Sequence, residues 1–495
     1  MKRTVQVTQL ALLALSLLSC APAKPSATTL PGADFWQNRT DLITAPPPAA
    51  PAEISLPAVV DTALDNGIAL RLVAEPRLPL INVHLVVNGG TDEEPAPKRS
   101  LADFVSQMLL RGTRTHTADE ISEQIDFVGG ELSSWADRTG IHVICEVLAQ
   151  DGQICIDLMS DMVVHPLFPK EEIEIIREQF MGQVKQVRDS DASLAGEHLN
   201  NLLFGEADPR GWPWTTLSVG NIEQSDLISW HENWFTAANT TIVVTGAFDP
   251  TATEAALRTA FNTVPAKNGR LPSALSPPQV NGLTIRLVDK PDQTQTQILL
   301  ASAGIAASDE RRMAADLFNY TLGGGAFSSR LMKVVRSEGG KTYGASSYLE
   351  RSKDAGVFQV RTFTRTAETV ATLQLLLAEI ARMKVDGPTQ AELNDAISNL
   401  AGGWPMRFET SRDVGEALLF ATRMGLPNDY VQTYPVRISG VSLAQVRSVA
   451  AEFLSAEKMV VVLVGNASEL EKQLHAASLT YEKVFFTDPT VKSQR

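Results

Sequence analysis

Two stretches of this chain, one near its middle and one near its end, keep the same spacing: Phe235-Thr-Ala-Ala-Asn-Thr-Thr-Ile-Val-Val-Thr-Gly246 and Leu454-Ser-Ala-Glu-Lys-Met-Val-Val-Val-Leu-Val-Gly465. Each reads as the end of a helix, a short turn, a buried strand rich in β-branched residues, and a closing glycine. The elements that precede them also run in one order twice: strand patterns, helical patterns, further strands, then long helices. A duplication of that size leaves few options, because each copy must bury its own apolar faces and then pack against the other. The expected fold is therefore α+β, built of two homologous domains that close as a clamshell around a site for a large ligand.

The chain has 495 residues, 44% of them hydrophobic, which suffices for more than one core. A net charge of −14 excludes nucleic acid as a partner, since nothing here neutralises phosphates at scale. At the N-terminus Lys2 and Arg3 precede an apolar run, Leu10 to Leu18, that is too short to span a bilayer. It is followed by Ser19-Cys20-Ala21, and the Leu-Leu-Ser-Cys ending resembles the bacterial lipoprotein box, in which the cysteine becomes the lipidated first residue. Residues 1–20 are thus expected to be a signal peptide ending at Cys20, and 21–56 a Pro/Ala-rich tether. The body would lie on the periplasmic side of a bacterial envelope as an outer-membrane lipoprotein, touching the membrane through its lipid alone. Within it, 57–264 and 282–480 are the expected domains, 265–281 the linker and 481–495 a tail. Cys145 and Cys155 both sit in apolar runs and read as buried free thiols, with a bridge in an oxidising compartment as the alternative.

The second half carries a glycine-rich turn, Gly323-Gly324-Gly325, then a short helix bearing Arg330, then a Gly339-Gly340 break before Tyr343. A strand returning past that helix would point the Arg330 guanidinium and the Tyr343 phenol into one space, where they could hold a carbonyl oxygen. The whole string, with Gly403-Trp404-Pro405-Met406-Arg407-Phe408-Glu409-Thr410 downstream, resembles the second half of the insulinase-like (pitrilysin, inverzincin) zinc peptidases. The resemblance covers about residues 57 to 480. It implies mixed, mostly antiparallel sheets with helices on one face of each, and gives Arg330 and Tyr343 the role of holding a substrate peptide opposite the metal.

Active members of that family carry H-x-x-E-H on a helix of the first half, with a further glutamate ligand from a later helix. Here the matching frame is Ser100-Leu101-Ala102-Asp103-Phe104-Val105-Ser106-Gln107-Met108-Leu109. Asp103 stands for the first histidine, Ser106 for the catalytic glutamate, Gln107 for the second histidine, and Gln183 for the later ligand. A serine hydroxyl is too weak a base to activate water near neutral pH, and amide oxygens are poor zinc ligands beside imidazole and carboxylate. Nor do the seven histidines offer an H-x-x-x-H pair. They read as surface or core residues, Glu197-His198 and His231-Glu232 as solvated helix faces, with a site drawn from distant histidines as the alternative.

The resemblance thus implies a subunit that is inactive alone and holds no metal or cofactor. Its partner would be an H-x-x-E-H-bearing insulinase-like chain that supplies zinc, and the pair would cleave unfolded peptides. The alternatives are a lipid-anchored peptide-binding or scaffold protein of the envelope without proteolytic activity, and a self-sufficient hydrolase with an unrecognised site.

Overall fold

The computed structural model describes residues 54–266, 269–488 and 490. The expected signal peptide, the lipidation site Cys20 and most of the tether lie outside the described residues. Two six-stranded sheets carry the chain, ordered β1-β2-β6-β3-β5-β4 and β12-β7-β11-β8-β10-β9. In the first, β1 is Val59–Ala63, β2 Ala69–Ala74, β3 Leu80–Asn88, β4 Glu131–Ala136, β5 Gly140–Leu148 and β6 Thr240–Gly246. In the second, β7 is Thr284–Asp289, β8 Gln295–Ala303, β9 Ala345–Leu349, β10 Val357–Arg365, β11 Val460–Gly465 and β12 Glu482–Phe485. The duplicated strands β6 and β11 each pair in parallel with β2 or β7 and antiparallel with β3 or β8.

The repeated closing glycines are explained by crowding. A Cβ on Gly246, whose φ is +113°, would fall 2.1 Å from the Leu80 carbonyl oxygen, and one on Gly465 would fall 2.7 Å from the Thr296 hydroxyl. No side chain fits where these strands leave their sheets.

Each sheet buries one face under helices of its own half. In the first these include α1 (Leu101–Met108), α2 (Ala118–Phe127), α3 (Gly152–Val164), α4 (Lys170–Asp189) and α6 (Gln224–Trp234). Thr117 and Glu120 form a capping box that starts α2. The second core gathers α7 (Arg312–Asn319), α8 (Thr369–Asp386), α9 (Gln390–Gly402), α11 (Tyr430–Ser439) and α12 (Leu443–Phe453).

The opposite faces are covered by exchange. Helix α5 (Asp191–Phe204), from the first half, lays Leu194, Ala195, Leu199 and Leu203 on Val288, Leu299, Ala301, Val460, Val462 and Val464 of the second sheet. Helix α10 (Ser411–Arg423), from the second half, lays Val414, Leu418 and Leu419 on Val73, Val86 and Val243 of the first.

Two equivalent buried arginines fasten these helices. Arg71 on β2 donates to the Leu418 carbonyl at 3.2 Å and pairs with Asp61 on edge strand β1 at 2.6 Å. Arg286 on β7 donates to Asn201 of α5 at 2.9 Å and pairs with Glu482 on edge strand β12 at 3.1 Å. At the β4–β5 turn Arg423 of α10 grips Asp137 at 2.7 and 2.8 Å, and Arg138 reaches Glu350 of the second half at 2.7 Å.

Three expectations need correction. The residues read as a C-terminal tail begin with β12, whose Glu482–Phe485 pair in parallel with β7, because Val484 has a buried place against the exchanged helix. His198 is fully buried beside Arg286 rather than solvated, since α5 is covered on that side by the second sheet. Cys145 and Cys155 form a disulfide: β5 turns into α3 within a few residues, which brings their Cα atoms to 5.6 Å.

Because apolar contact crosses between the halves in both directions, neither should unfold alone. Leu199→Ala and Leu418→Ala are each expected to cost about 2–5 kcal/mol. Urea unfolding followed by far-UV circular dichroism and tryptophan fluorescence should still give one coincident transition, and two separated transitions would contradict the exchange.

Candidate functional site

Helix α1 is entered through a buried carboxylate. Glu94 accepts the backbone N–H groups of Ser100 and Ala102 at 3.1 and 2.8 Å and the Arg99 guanidinium at 2.8 Å, and so supplies the capping that Ser100, in a left-handed conformation, does not. Burial still pushes the Glu94 carboxyl above its ordinary range against these three donors. Burial, and then the charge of Glu94, push Asp103 up to about 8.

The side chains at the other expected ligand positions are turned to structural tasks. The Ser106 hydroxyl donates to the Asp103 carbonyl at 2.8 Å, and the Gln107 amide donates to the Ser134 carbonyl on edge strand β4 at 3.0 Å. Gln183 lies on α4, which packs on α1 through Phe180 and Phe104, ring centroids 4.8 Å apart. Its side chain lines a separate cavity of about 280 Å³ with Arg99, Glu197 and Trp212. A carboxyl that holds its proton, a hydroxyl and two amides do not make a zinc site, and among the described residues no group of three His, Cys, Asp or Glu side chains could hold a metal.

In the second half, the glycine-rich turn passes so close to β9 that a Cβ on Gly323 would meet the Ser347 backbone nitrogen at 2.3 Å. Beyond it the chain forms a wide turn over Met332–Glu338. Arg330 is not free to hold a substrate. Its Nε and Nη2 donate to Glu392 at 2.7 Å each, Nη2 also to the Gly387 carbonyl at 2.9 Å, and Nη1 faces Glu379 at 3.6 Å. Glu392 also accepts from the Thr389 backbone and hydroxyl; despite its burial, Arg330 and Thr389 hold it down to about 2. The Arg330 guanidinium therefore clips the turn between α8 and α9 through its bidentate pair with Glu392.

Tyr343 is the reverse case: it is 78% exposed. The arginine of this stretch that sequence reading passed over is Arg336. Among the described residues no carboxylate pairs with it, and its guanidinium lies over the ring of Phe327, itself 75% exposed, at 4.8 Å. Residues 336–343 read Arg-Ser-Glu-Gly-Gly-Lys-Thr-Tyr, so this arginine stands seven positions before Tyr343, and that spacing is the signal that ties the two together.

The two halves, each a mixed sheet with its own helices, form the expected two-domain α+β clamshell. One cavity, of about 370 Å³, takes Arg138, Asn200 and Arg210 from the first half and Tyr348, Glu350 and Gln359 from the second. None of the expected site residues lines it.

Residues 72–208 match the family described as insulinase (peptidase family M16), and residues 221–400 match the peptidase M16 inactive domain. An uncharacterized zinc protease of Mycobacterium leprae is 28% identical over 428 residues, spanning 84% of this chain and 94% of that protein. One from Streptomyces coelicolor is 25% identical over 404 residues, spanning 79% and 85%. Among solved structures, a peptidase M16 inactive domain from Pseudomonas fluorescens gives a TM-score of 0.76 at 24% identity, over 83% of this chain and 98% of that one. A protease from Helicobacter pylori gives 0.76 at 17% identity, over 83% and 100%. Both are likenesses of fold.

The raised Asp103 carboxyl has a measurable consequence. In the native state it keeps a proton that the unfolded chain has lost above its ordinary pKa of 3.8, so its contribution to stability falls as pH rises towards about 8 and is level above that. Asp103→Asn removes the titration and should gain stability over wild type progressively between about pH 4 and pH 8. Urea midpoints across that range measure it; a difference that does not grow with pH would mean an ordinary, ionised Asp103.

Proposed function

The chain belongs to the insulinase-like peptidase M16 family, and we propose that within it this protein is the peptide-holding, non-catalytic subunit of a heteromeric zinc metallopeptidase. The observation that carries the reading is the contrast between its two halves. At the first, the ligand positions are held by Asp103, Ser106, Gln107 and Gln183, three of them tied into helix, edge strand or a separate cavity wall. At the second, the stretch 327–343 holds an arginine without an acid partner and two largely exposed aromatic rings.

In this reading Arg336 and Tyr343 donate hydrogen bonds to a substrate carbonyl and to the charge that builds on it during cleavage. Arg330 holds the helices beneath them. The metal belongs to a partner chain that bears H-x-x-E-H, and the exposure of Tyr343 and Phe327 suits a surface completed by that partner. An unfolded peptide would lie extended, paired through its main chain to a strand edge.

The protein would work on the periplasmic side of the bacterial envelope, exported by residues 1–20 and anchored through lipid on Cys20. The Cys145–Cys155 bridge suits such an oxidising compartment.

The test is reconstitution with an H-x-x-E-H-bearing family member from the same source, followed by hydrolysis of an unstructured quenched-fluorescence peptide. Cleavage should need both chains. Arg336→Ala and Tyr343→Phe should each lower kcat/KM of the mixture about 10–1,000-fold with unchanged melting temperatures. Arg330→Ala should instead lower the melting temperature, having left Glu379 and Glu392 without their shared cation. A mixture that never cleaves, or cleavage by this chain alone that a chelator stops, would overturn the reading.

A further inference from the structure

A cavity of about 420 Å³ lies between the turn Thr91–Glu93, helix α6 and the segment that joins the two halves, with Trp212, Trp230 and Trp234 in its walls. None of Asp103, Ser106, Gln107 and Gln183 lines it. Its polar groups are unevenly satisfied. Three of its carboxylates have close cations: Asp92 has Arg138 at 3.0 Å, Glu94 has Arg99 at 2.8 Å, and Asp226 has Lys98. Glu93 does not. It is 7% exposed and accepts the Ser273 backbone N–H and hydroxyl at 2.5 and 2.9 Å, yet its nearest cation is Arg270 at 3.7 Å. The indole N–H of Trp230, a residue 5% exposed, has no hydrogen-bond partner among the described residues.

Arg270 comes from the joining segment, keeps 56% of its side chain in solvent, and places its guanidinium over the Trp234 ring at 5.4 Å. A buried carboxylate without a close counter-ion is costly, and an indole face attracts a cation, most strongly when water is excluded. Both attractions converge where Arg270 sits, and Arg270 satisfies each of them loosely.

We propose that this cavity is a binding site for an organic cation, a guanidinium or ammonium group that rests on Trp234 and ion-pairs with Glu93, and that Arg270 is a tethered occupant which the ligand displaces. The site needs no second chain, so it stands or falls independently of the peptide-holding reading.

The test is calorimetric titration of the full chain with N-acetyl-arginine amide, with its uncharged analogue N-acetyl-citrulline amide, and with a capped neutral peptide carrying one internal arginine. The arginine amide should bind and the citrulline amide should not. The internal-arginine peptide distinguishes a small free cation from a residue within a chain, according to which of the two binds more tightly. Arg270→Ala should tighten binding about tenfold by removing the competitor, and Glu93→Gln should weaken it at least tenfold. Melting temperature and far-UV circular dichroism establish that each variant is folded. Equal binding of the citrulline amide, no binding by wild type or by folded Arg270→Ala, or unchanged affinity in folded Glu93→Gln would each overturn the proposal.

Discussion

The exchange of helices between the two sheets is the contact on which the rest of the molecule depends. A six-stranded sheet with helices on one face leaves its other face as apolar surface, and here each half covers the other's. Val288, Leu299, Val460, Val462 and Val464 would face water without α5, as would Val73, Val86 and Val243 without α10. Arg71 and Arg286, at equivalent points of equivalent strands, then hold each borrowed helix through a carbonyl or an amide oxygen and tie it to an edge strand. A buried guanidinium satisfied on several sides selects one seating of the helix, whereas the apolar contact alone would tolerate sliding.

That exchange also decides where chemistry can happen. With the halves interlocked, the cavity between Arg138 and Arg210 of the first half and Tyr348 and Glu350 of the second is lined by none of the residues that the two motifs bring forward. Helix α1 of the first half is absorbed into its surroundings through the Ser134 carbonyl and the buried Glu94. The second half's motif keeps its aromatic rings outward. A molecule so built carries exposed aromatic rings on one stretch and, among its described residues, no group of three His, Cys, Asp or Glu side chains able to hold a metal.

The residues around the motif also show how one arginine can mislead. Arg330 and Arg336 stand in the same short stretch, and sequence reading chose the former. Arg330 is committed because Glu392, the third residue of the capping box that begins α9, and Glu379 on α8 both reach it. Neither acid is near it in sequence. Arg336 has only an aromatic ring beneath it. Which of two neighbouring cations is tied up is a question about distant carboxylates; local pattern links Arg336 to Tyr343 by spacing but does not show that Glu392 and Glu379 reach Arg330.

The sequence by itself determined the duplication, the order of elements in both halves and the side chains that α1 and α4 present, Asp103, Ser106, Gln107 and Gln183, because hydrophobic period, turn residues and side-chain chemistry are local properties. Tertiary structure alone decided the pairing of Cys145 with Cys155, the place of β12 in the second sheet, the burial of His198, the crossing of α5 and α10 and the commitment of Arg330. Each of these turns on which surfaces meet once the chain has closed. An amphipathic helix shows in sequence that it must bury one face, but the sheet that will receive that face is chosen by packing between segments hundreds of residues apart.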